Sequence, residues 1–125
     1  MPALLALLLG VTSPDPEPLR SAVQACDRGA MTALTKAEPR RRAEWAEAVY
    51  REQRSIAADR AGLAPAATSP AGQATLASAR QGLEARQQQL EDARAVERAW
   101  REFYDEYRVD FLASCSPAGK KRDDG

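Results

Sequence analysis

Two long stretches of this chain repeat their apolar residues at helical spacing, and one Ala/Pro/Gly/Ser/Thr-rich segment, Gly62 to Thr75, lies between them. That pattern restricts the chain to helices packed along their apolar stripes. Leu19, Val23, Cys26, Ala30, Leu34, Ala37, Trp45, Ala48, Val49, Ile56 and Leu63 fall on one face of a first helix. The second stretch carries Leu76, Leu83 and Leu90 seven residues apart, then Ala93, Val96, Trp100, Phe103, Tyr104, Tyr107 and Phe111. Composition agrees with helices. The sequence holds 26 Ala but one Ile and five Val, so a sheet would lack the β-branched residues it favours.

The first helix is expected over about 19–61, because Gly62 suits a left-handed residue past a helix end and Pro65 blocks continuation. Pro39 lies inside it. Leu34 and Trp45 stay in phase across the proline, which predicts a kink there; a true turn would give a three-helix bundle broken at Pro39, the alternative fold. Two signals compete for the start of the second helix: Ser69-Pro70, and Ser78 with Gln81 as a capping box. Setting Cys26 opposite Cys115 in an antiparallel pair centres the turn between Pro70 and Ala71. Either the loop is long, about 62–75, which leaves the second helix at about 75–112, or Cys115 folds back after the helix, or the pair does not bond.

The fold expected is therefore all-α, an elongated antiparallel two-helix hairpin. Large rings of the second helix then meet small residues of the first, Trp100 near Arg41, Tyr107 at Leu34 and Phe111 at Ala30. A two-helix seam buries little apolar surface, and a homodimer of four helices is one way to cover it.

Residues 1–13 begin with an uncharged apolar run, Ala3 to Val11, of signal-peptide length and too short to span a bilayer as a helix. No basic residue precedes it. A Pro-rich linker, 14–18, follows, then a single helical domain over 19–112 and a polar tail over 113–125. Cys26 and Cys115 are the only two cysteines, without a C-x-x-C spacing and without any histidine to complete a zinc site. In an oxidising compartment they read as a disulfide, which in the chain-entropy model contributes roughly 4 to 5 kcal/mol for so long a loop. These features point to a periplasmic or secreted protein; the cytoplasmic alternative treats the run as a plain apolar N-terminus.

Eighteen Lys+Arg balance eighteen Asp+Glu, so no overall field draws the chain to nucleic acid or an anionic membrane. Arg40-Arg41-Arg42 point in three directions around a helix, among Glu38, Glu44 and Glu47, and Arg41 can stack on Trp100. Glu38 with Arg42, Glu47 with Arg51 and Glu97 with Arg101 read as i, i+4 pairs on the outer faces. Asp27, Glu52 and Asp59 sit in or near the apolar face, but no E-x-x-H, H-E-x-x-H, calcium loop or phosphate cradle accompanies them. No catalytic, cofactor-binding or metal-ligating set is expected, and no enzyme activity.

The aromatic residues give the most specific candidate site. Trp45, Trp100, Phe103, Tyr104, Tyr107 and Phe111 form either the core of the helix pair or a groove for an apolar or peptide partner. Glu97-Arg98-Ala99-Trp100 with Phe103 and Asp105 resembles the Arg-Ala-Trp, aromatic, Asp segment of the small exported lysozyme-inhibitor-like helical proteins of bacterial envelopes. The resemblance covers about ten residues. The next cysteine here is Cys115, later than in that family, and its upstream Leu-Asn and Tyr element has no counterpart beyond Tyr50. It implies a helical fold and a periplasmic location. The function expected is non-enzymatic, a small exported helical protein that binds an unknown protein partner or serves an envelope structure. A cytosolic coiled-coil adaptor and a lysozyme-inhibitor-like protein are the alternatives.

Overall fold

The computed structural model describes residues 14–63 and 70–115. These residues are all-helical: α1 spans Glu17–Gln24, α2 spans Arg28–Gly62 and α3 spans Pro70–Ser114. Among them no helix is long and apolar enough to cross a membrane. The apolar segment 1–13 and residues 116–125 of the expected polar tail lie outside the described residues.

The first helix of the sequence reading is corrected to two. The chain breaks at Ala25–Asp27, where the α1 C-terminus adopts a Schellman pattern: Cys26 N–H donates to Val23 C=O at 3.2 Å and Asp27 N–H to Ala22 C=O at 2.9 Å. Cys26 takes the left-handed conformation there, with φ 49°, at a position where glycine is usual. Asp27 then caps α2, its Oδ1 accepting from Ala30 N–H at 3.0 Å. One residue thus ends a helix and the next begins another. Pro18, expected in the linker, lies inside α1, where a proline in the first turn costs no hydrogen bond.

The break does not fall at Pro39, through which α2 runs on. Pro39 is exposed, and it removes the N–H from which Thr35 C=O would accept in an unbroken helix. α3 starts at Pro70, about five residues ahead of expectation. A helix register set by the cysteines requires Cys26 on a continuous helix. It lies instead in the α1–α2 break, and Cys115 follows the last residue of α3.

Two compact units are distinguished. The first comprises residues 14–43 and 96–115. Its core gathers Leu19 and Val23 of α1, Met31 of α2, Tyr104 and Phe111 of α3, and both cysteines. The second comprises residues 44–63 and 70–95, with Ala48, Val49 and Ile56 of α2 against Leu83 and Leu90 of α3. Trp45, Leu63 and Ala93 pack on that core.

Along α3 the seven-residue spacing of Leu76, Leu83 and Leu90 continues through Glu97, Tyr104 and Phe111, and all six are buried. A heptad of this kind keeps one seam of a helix against its neighbour. Glu97 is the only charged residue in the series, and its burial sets up the polar centre described next.

Candidate functional site

In the first unit Cys26 and Cys115 form a disulfide, with Cα atoms 5.5 Å apart across 89 positions of sequence. It ties the end of α1 to the end of α3. Five of the aromatic candidates collect beside it. Tyr104 and Phe111 are buried, and Trp100, Phe103 and Tyr107 are half-buried against the same core. Phe103 and Tyr107 have ring centroids 4.3 Å apart, and Trp100 lies 6.1 Å from both Phe103 and Tyr104. Trp45 is not with them; it packs in the second unit.

Guanidinium groups cover three of these rings: Arg20 over Phe103 at 5.8 Å, Arg41 over Trp100 at 5.6 Å and Arg42 over Tyr104 at 5.4 Å. Arg41 is also the hub of a buried ion cluster. Its Nη1 and Nη2 donate to Glu97 Oε2 and Oε1 at 3.0 and 2.6 Å, and its Nε and Nη2 donate to Glu38 at 3.0 and 2.8 Å. Arg42 and the Trp100 indole complete Glu38, and Arg101 completes Glu97. Glu38 and Glu97 are only 6% and 5% exposed, so two of the three pairs read as outer-face pairs, Glu38 with Arg42 and Glu97 with Arg101, are corrected to parts of an internal cluster. Burial alone pushes the Glu38 carboxyl up, but hydrogen bonds from Arg41, Arg42 and Trp100 outweigh it and hold it at about 2.

This cluster accounts for Glu97 and Trp100 of the envelope-protein-like segment as internal partners. A heptad continued past Leu90 would have found Glu97, because position 97 follows in the same series.

The remaining carboxylates of interest are also engaged. Asp27 is the α2 cap, and in the second unit Glu52 and Asp59 both accept from Arg86, at 3.1 and 2.6 Å, while Ser55 accepts at 3.0 Å. Among the described residues no group of three His, Cys, Asp or Glu is placed to hold a metal ion.

Open surface in the first unit lies at the last turns of α3. Val109 and Leu112 are 66% and 64% exposed. A groove of about 810 Å³ on one side is lined by Val23 and Gln24 of α1 with Glu106, Val109 and Asp110. A second, of about 470 Å³, runs between α2 and α3, lined by Arg28, Met31, Lys36, Arg108, Phe111 and Leu112. The fold and this site together define an all-α protein with a single interhelix disulfide. Compared with known proteins, the chain matches no family model, no curated protein and no solved structure.

Proposed function

We propose that this chain is a small exported helical protein, periplasmic or secreted, that acts by binding another protein and performs no chemistry of its own. In this reading α2 and α3 pair antiparallel as a hairpin. The pairing of Arg41 with Glu97, and of Glu38 one turn earlier with Trp100 one turn later, supports that direction in the first unit. Arg86 reaching back to Glu52, Ser55 and Asp59 supports contact of the same two helices in the second.

The observation that carries the proposal is the juxtaposition of the Cys26–Cys115 disulfide with the exposed Val109 and Leu112. A disulfide persists in oxidising compartments, and its closure fixes the end of α3 that presents the two apolar side chains. Exposed apolar side chains beside grooves are what a partner surface buries. The buried aromatic rings serve the core in this reading, and the partner takes the outer face of the same helix.

The test is capture from envelope extract with the oxidised protein and with a Val109→Asp, Leu112→Asp double variant of unchanged thermal stability. A partner held by the first and lost by the second supports the reading. The same proteins captured by both contradict it.

A further inference from the structure

The two grooves beside the end of α3 differ in charge. The one facing α1 has Glu106 and Asp110 in its lining and no cation. The one facing α2 has Arg28, Lys36 and Arg108 and no carboxylate. All three of these cations are exposed, and none makes an ion pair or side-chain hydrogen bond with another described residue. Elsewhere in the same unit four arginines are spent on carboxylates: Arg20 on Glu17, Arg41 on Glu38 and Glu97, Arg42 on Glu38, and Arg101 on Glu97.

The floor of this groove is apolar. Met31 and Phe111 are buried beneath it, and Leu112 stands exposed at its edge. Arg28 and Lys36 lie eight residues apart on α2, which at the helical rise is about 12 Å, the span of a few residues of peptide. Arg108 supplies the opposite wall from α3.

We propose that this groove binds a short acidic segment of a partner protein. An apolar side chain of the segment seats on Met31, Phe111 and Leu112, while its carboxylates meet Arg28, Lys36 and Arg108. The inference rests on the reading of the chain as a binding protein and names the chemistry of what it binds. A peptide is favoured over nucleic acid because the basic stretch is short, its floor is apolar and the chain as a whole carries no net charge to attract a polyanion.

Fluorescence anisotropy with the oxidised protein tests it. The probe is a short labelled peptide with a leucine flanked by glutamates; a lysine-flanked peptide and a leucine-to-alanine peptide are the comparators. Saturable binding of the first probe is expected, weakened by salt, with the comparators weaker. Lys36→Glu and Arg108→Glu each reduce affinity about tenfold, whereas Arg98→Glu, on an exposed position outside the groove, leaves it unchanged. Absence of saturable binding, or equal binding by the groove variants, overturns the proposal. So does tighter binding of an oligonucleotide or anionic vesicles at the same cations, or self-association that the Lys36→Glu variant abolishes. If the peptide fails while a captured protein still depends on Val109 and Leu112, the acidic-segment inference falls and the binding reading stands.

Discussion

Arg41 holds Glu97 through two parallel hydrogen bonds, Nη1 to Oε2 at 3.0 Å and Nη2 to Oε1 at 2.6 Å, although 56 positions separate them in the chain. The fork geometry of the guanidinium matches the carboxylate, and both oxygens of the buried Glu97 are satisfied. Removing one partner leaves the other charged in a poorly solvated place. Arg41 keeps Glu38 as a partner, so Glu97→Leu is expected to lower the unfolding free energy by about 2 kcal/mol. An Arg41→Met, Glu97→Leu double variant loses less than the two single variants combined, because neither charge is left alone. Urea denaturation of the four proteins measures the coupling.

Acid should reach the same cluster through Glu38. Its carboxyl sits at about 2 when folded against an ordinary 4.5. A group lowered on folding stabilises fully above the unfolded value, and that contribution disappears as pH falls through the folded value. The loss therefore runs from about pH 4.5 down to about pH 2, and is worth roughly 3 kcal/mol at most. A Glu38→Gln variant, less stable at neutral pH, should show a shallower fall across this window. An equal fall in both proteins would assign the acid sensitivity elsewhere.

Cys26 offers a separate test of backbone conformation. Its positive φ suits glycine better than any residue with a side chain. With Cys115→Ala removing the crosslink, Cys26→Gly is expected to be more stable than Cys26→Ala by about 1 kcal/mol. Thermal melts of the two double variants decide it.

Among the described residues Arg86 alone bonds three successive turns of α2 in the second unit, through Glu52, Ser55 and Asp59. A lysine keeps the charge but not the planar set of donors. Arg86→Lys is thus expected to lose most of what Arg86→Ala loses, about 1 kcal/mol since the site is partly exposed. Denaturation midpoints compare them.

Much of the helical character was legible from the residues. Leu76, Leu83 and Leu90 mark the inward seam of α3, and Arg41 does lie over Trp100. What remained hidden has local causes. The break at Cys26 depends on a left-handed residue that is not glycine, so no turn residue advertises it. Once the chain breaks, the helical phase shifts, and Met31 is buried where Ala30 was expected. Glu38 and Glu97 look like surface residues in sequence because each has an arginine four positions on. Their burial becomes favourable only when Arg41 reaches both, and that link joins two helices. The charged groove arises in the same way, from Arg28 and Lys36 on α2 meeting Arg108 of α3.

Export and the Cys26–Cys115 crosslink together make up the proposed function's central premise. Non-reducing peptide mapping of the protein isolated from its native cells tests it most directly, combined with the mass of its N-terminal peptide. The expected result is that the peptides containing Cys26 and Cys115 are linked and that the apolar run Ala3 to Val11 has been removed. An intact Met1 together with two free thiols would contradict it.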